Sequence, residues 1–120
     1  MNVQILAVHG QGDYQTEYVT LRVLDDCDLG KYQLCDSTYT AENTVSNRLR
    51  HVYWFPDKQV VKGDLIALWT KPGKETTGKT RDGHTIHHFY WDLKTAVWNN
   101  DGDAAVLQRL ANWSLFPAKR

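Results

Sequence analysis

No stretch of this sequence keeps apolar residues at i, i+3, i+4 and i+7 for three turns. β-Branched and aromatic residues instead recur in short runs between clusters of Gly, Pro, Asn and Asp. That contrast argues against a helical bundle and against an alternating βαβ fold. Val3 to His9 is the first run, closed by Gly10-Gln11-Gly12-Asp13. From Glu17 to Leu24 the pattern alternates, with Val19, Leu21 and Val23 on one face, as in a sheet with one buried side. Lys31 to Cys35 reads as another strand. Arg48 to Phe55 alternates Leu49, His51, Tyr53 and Phe55 against Arg50, Val52 and Trp54, and stops at Pro56. Gln59 to Lys62 suggests a small strand before a turn at Gly63-Asp64, and Leu65 to Trp69 is apolar on both sides, as a central strand requires. His84 to Trp91 returns as a strand. Thr95 to Trp98 then leads into Asn99-Asn100-Asp101-Gly102, whose Asp-Gly pair signals a hairpin with Ala104 to Leu110 returning. Asp101 to Ala111 carries only a weak helical spacing, and Ser37 to Asn47 and Lys71 to Gly83 read as hydrophilic loops. The expected fold is an all-β sandwich of about seven or eight short strands.

A length of 120 residues suits one domain, here residues 1–120, with its own hydrophobic core. Lys+Arg 14 and Asp+Glu 14 cancel, which excludes a uniformly basic nucleic-acid binder and a highly charged disordered tail. Five Trp and six Tyr are the unusual part of the composition. Trp54, Trp69, Trp91 and Trp98 fall in or at the ends of strand-like runs, where a large ring fills the gap between sheets. Tyr14, Tyr39 and Trp113 fall in loops or near the end of the chain and suit contact with a partner. Cys27 and Cys35 have no His at zinc-finger spacing and read as reduced thiols, at least one in the core, with a disulfide closing the short segment as the alternative for an exported protein. No apolar run approaches the roughly 20 residues of a membrane span. Without a basic and then apolar leader pattern after Met1, the expected location is cytoplasmic or otherwise intracellular, a virion component included.

Several segments resemble chemical motifs. Gly73 to Thr80 fits the phosphate-binding pattern G-x-x-x-x-G-K-T letter by letter, yet the helix that pattern needs is replaced by Arg81-Asp82-Gly83 and a β-rich run. It reads as a hairpin loop rich in Gly, Thr and Lys. In a strand, His84 and His88 share one face and His87 the other, so the three cannot ligate one metal without a bulge or help from His9, His51 or Asp92. Asn99 to Asp103 lacks the carboxylates that a calcium loop would need at Val97 and Gln108. No spacing argues for a nucleophile, a paired acid and base, or a catalytic triad, so no catalytic residue, metal ligand or cofactor is assigned. The loop carrying Lys71, Lys74, Lys79 and Arg81 against Glu75 alone is the candidate contact surface, for a protein partner or for nucleic acid.

The order of motifs resembles the lamin-tail domain family. Glu17-Tyr18-Val19-Thr20-Leu21 followed by Asp28-Leu29-Gly30-Lys31-Tyr32-Gln33-Leu34-Cys35-Asp36 is similar to that family's "E-x-V-x-L … D-L-x-G-W-x-L-x-D" opening. Tyr53 to Pro56 and Val61 to Leu68 resemble its "F-x-F-P … L-x-P-G-x-x-L-x-V" stretch, and Ala96 to Leu107 its "W-N-N-x-G-D-x-A-x-L" signature. Lys31-Tyr32 replaces the motif tryptophan, Lys62 stands where proline is common, and Lys71 to Gly83 is a longer insertion. The resemblance implies an immunoglobulin-like β-sandwich. Trp98, Asn99, Asn100, Gly102 and Asp103 would then form a structural motif in which Trp98 plugs the core and the turn closes a hairpin. It further implies a non-catalytic module working through protein–protein contact or self-association, with a nucleic-acid-binding accessory domain as the alternative. A metal- or nucleotide-dependent enzyme is the most remote reading.

Overall fold

The alternating runs fold into layered sheets with their apolar faces turned inward. The structure, a computed structural model, describes residues 1–41, 44–46, 48–99 and 102–119, with only the backbone at positions 39 and 40. In chain order the strands are β1 (Val3–His9), β2 (Tyr18–Val23), β3 (Cys27–Asp28), β4 (Tyr32–Ala41), β5 (Thr44–Val45), β6 (Val52–Trp54), β7 (Gln59–Val60), β8 (Leu65–Trp69), β9 (Thr76–Lys79), β10 (Thr85–Tyr90) and β11 (Asp103–Arg109). One sheet has the order β1-β2-β8-β10-β9; the other places β4 between β11 and β5, with β6 also on β4, and β3 with β7 forms a separate ribbon. β8 and β10 run parallel, whereas the other described pairs are antiparallel.

Burial follows the sequence period. Val19, Leu21 and Val23 are buried from β2, Ile66 and Leu68 from β8, and Phe89 from β10. Tyr32 and Leu34 of β4 join them with Phe55, Val97 and Trp98 in one cluster. Phe55 meets Phe89 edge to face at 5.3 Å, an arrangement that aromatic quadrupoles favour over a flat sandwich. Cys27 and Cys35 are free thiols, Cys35 fully buried. Burial, and then Asp28 beside Cys27 and Asp36 beside Cys35, pushes both thiols above their ordinary values.

The all-β class stands, with eleven short strands among the described residues where seven or eight were expected; of the expected strand Arg48 to Phe55 only Val52–Trp54 forms, and three further segments differ. Within the expected loop Ser37 to Asn47, β4 runs on to Ala41 and pairs with β5 (Thr44–Val45). Its polar residues hid this, because Ser37 is buried with its hydroxyl donating to the carbonyls of Ser46 at 2.8 Å and Arg48 at 2.9 Å. Part of the Lys71 to Gly83 loop is the edge strand β9, whose mostly exposed residues leave no apolar alternation to read. Finally, residues 95–98 form no strand, and β11 pairs with β4 rather than closing a hairpin on them. Asn100 and Asp101, the centre of the expected turn, lie outside the described residues.

Candidate functional site

Glu17 joins the first and last of the motif segments. It precedes β2 and is fully buried. Its Oε2 accepts hydrogen bonds from the Thr70 hydroxyl at 2.6 Å, the Val97 amide at 2.8 Å and the Trp98 amide at 3.4 Å, while Oε1 accepts from the Gly12 amide at 3.2 Å. Amides that a hairpin would have used for its ladder are therefore satisfied by a carboxylate, which is why residues 95–98 stay irregular. Trp98, 4% exposed, enters the core from this anchor, and Asp103 accepts from the Asn99 amide at 3.1 Å and lies 3.7 Å from Arg50. Asp28 and Asp36 have parallel duties: Asp28 accepts from the Gly30 and Lys58 amides, and Asp36 from the His51 amide and ring. These carboxylates are fasteners of the fold.

His87 and His88 separate as strand alternation requires, and His84 precedes β10. His87 is buried and its Nε2 lies 2.9 Å from Asp64 Oδ2, while His88 on the opposite face accepts from Trp69 Nε1 through Nδ1 at 3.1 Å. Burial, and then the neighbouring His87, pushes the His88 imidazolium below its ordinary value, consistent with a neutral accepting ring. His84 is exposed, its ring against Gly63, whose φ of +94° makes the turn before β8. No group of three metal-ligating side chains occurs among the described residues. Burial pushes the Asp64 carboxyl up, but bonds from the His87 ring and the Val61 amide outweigh it and hold the carboxyl below its ordinary 3.8. A carboxyl depressed in the folded state stabilises the fold above the unfolded-state value and loses that contribution as pH falls through the folded value. Urea unfolding between about pH 2 and 5 is therefore expected to show stability declining below about pH 4, with a shallower decline in Asp64→Asn. An identical slope in the variant would contradict this.

The four cations of the candidate contact loop do not converge. Lys79 pairs across β9 with Thr85 at the start of β10, whereas Trp69, two residues before Lys71, pairs with Tyr90 at its end. Those two register positions are roughly 17 Å apart along the sheet, at about 3.3 Å per residue. Lys71 Nζ stands 4.9 Å from the Trp69 ring centroid and Lys79 Nζ bonds the Thr85 hydroxyl, while Lys74 and Arg81 are exposed. Gly73 to Thr80 thus contributes an edge strand, and no helix follows it.

Two aromatic arrangements were not legible from spacing. His9, Tyr18 and Trp69 stack across β1, β2 and β8 at 4.5 and 4.3 Å, and Tyr90 continues the row at 6.5 Å. Neighbouring rings cover one another's faces, so the row braces the outer side of the five-stranded sheet. The second arrangement is exposed. β6 turns Val52, 47% exposed, and Trp54, 44% exposed, away from the core. Trp54 Nε1 donates to the Gly30 carbonyl at 2.7 Å, and Trp113, beyond β11, packs edge to face on Trp54 at 5.1 Å. Leu115 and Phe116 follow at 75% and 93% exposure. Of the four strand tryptophans expected to fill the core, Trp91 and Trp98 do so, whereas Trp69 and Trp54 lie on outer faces. Trp113 is where the sequence placed a contact residue; the side chain of Tyr39 lies outside the description.

No protein-family model matches the chain, and no curated protein matches it. Among the described residues no helix is long and apolar enough to cross a membrane.

Proposed function

We propose that the chain is a lamin-tail-like, immunoglobulin-like sandwich acting as a non-catalytic module that works through protein–protein contact. The observation that carries this reading is the exposed pair Trp54 and Trp113, packed on each other, with exposed Val52 on the same strand and exposed Leu115 and Phe116 following Trp113 in the chain. Large apolar patches at an edge strand are costly to leave in water, and tryptophan is the residue most enriched where binding energy concentrates. The family part of the reading is supported by Glu17, whose carboxylate ties the E-x-V-x-L segment to the Val97-Trp98 segment. The buried acids are engaged in fastening the backbone, which fits a module whose work is done on its surface. Affinity capture with the intact chain and with Trp54→Ser/Trp113→Ser compares the two surfaces directly. Protein partners retained by the intact chain are expected to be lost by the folded variant; retention of the same partners by both would refute the reading.

A further inference from the structure

We infer that the occupant of the Trp54–Trp113 patch is a second copy of this chain, seated about a two-fold axis with Phe116 of each copy as anchor; this rests on the protein-contact reading above. The patch holds both halves of such a contact. Its receiving half is a cleft of about 220 Å³ lined by Gly30, Lys31, Leu110, Ala111, Asn112 and Trp113, next to Trp54, which bonds Gly30 and packs on Trp113. That volume admits a phenyl ring. Its donating half is Leu115-Phe116: Phe116 is 93% exposed, so its ring is not housed by its own chain. An isologous interface needs one surface to be complementary to itself, and a projecting aromatic beside a cleft meets that condition.

Area and charge point the same way. Trp54, Trp113 and Phe116 expose 44%, 60% and 93% of their surface, and Val52 and Leu115 add 47% and 75%. At about 150 to 250 Å² per aromatic residue these side chains present roughly 500 to 600 Å² of apolar surface. A sum of that size would supply the apolar centre of an interface of about 800 Å² per partner. Exposed Lys31 lines the cleft and exposed Asp57 lies against Gly30, so the rim carries both signs. The formal net charge of zero leaves no long-range repulsion between copies.

Sedimentation velocity of the intact chain from about 1 to 100 µM, a range spanning ordinary weak and moderate affinities, tests this. The expected result is a monomer–dimer equilibrium that Phe116→Asp weakens at least tenfold, with Trp113→Ala as a second variant and with circular dichroism unchanged in both. A monomer throughout the range, or a dimer that neither variant weakens, would overturn the inference. A monomeric chain whose patch still captures a different protein would overturn the second-copy assignment while leaving the contact-module reading intact. Failure of both measurements would remove both.

Discussion

Replacing Glu17 by alanine is expected to lower the free energy of unfolding by about 3 to 5 kcal/mol, a large part of what a domain of this size possesses. The side chain is fully buried, and its loss strands the Thr70 hydroxyl and the amides of Val97 and Trp98 without an acceptor, while the exposed Gly12 turns to water. An unmade bond at a buried donor costs its full desolvation, which exceeds the modest net gain of making it. Glu17→Gln keeps one acceptor oxygen but turns an amino group toward one of these donors, so a smaller loss of about 1 to 2 kcal/mol is expected. Urea unfolding followed by tryptophan fluorescence reads both. An alanine variant within about 0.5 kcal/mol of the parent would mean that the carboxylate does not fasten the fold.

Trp98→Ala is expected to cost a similar amount, about 3 to 5 kcal/mol, because a nearly buried indole is exchanged for a cavity in the cluster around Phe89 and Leu34. The two substitutions should not add. Glu17 holds the backbone amide of Trp98 itself, so once the anchor is gone the indole is no longer fixed, and the double variant should fall short of the sum by at least about 0.5 kcal/mol. Strict additivity would show that the two motif segments are independent despite their contact.

Much of this fold could be read from the period of its apolar residues, and the failures share one physical cause. β2 and β8 were legible because Val19, Leu21, Val23, Ile66 and Leu68 are buried and apolar. The far half of β4 was not, since Ser37 and Asp36 are buried polar residues satisfied by bonds to distant backbone. β9 was missed because an exposed edge strand imposes no alternation. A hairpin was expected after Trp98 because the Asn-Asp-Gly turn chemistry is local, whereas the acceptor that claims the Val97 amide is Glu17, 80 residues earlier in the chain. The proposed contact surface was legible only in part. Trp113 stood out as an aromatic beyond the last strand, but its meeting with Trp54 depends on how β4, β6 and β11 assemble. The basic loop drew attention because four cations are close in sequence, yet the register sets Lys79 beside the start of β10 and Lys71 near its end.

On the proposed function the tryptophans divide into architecture, represented by Trp98, and contact surface, represented by Trp113. Unfolding free energies of Trp98→Ala and Trp113→Ala, measured side by side at low protein concentration, test it most directly. A loss of about 3 to 5 kcal/mol for the first and less than about 0.5 kcal/mol for the second is the predicted result. Equal losses in the two variants would contradict it.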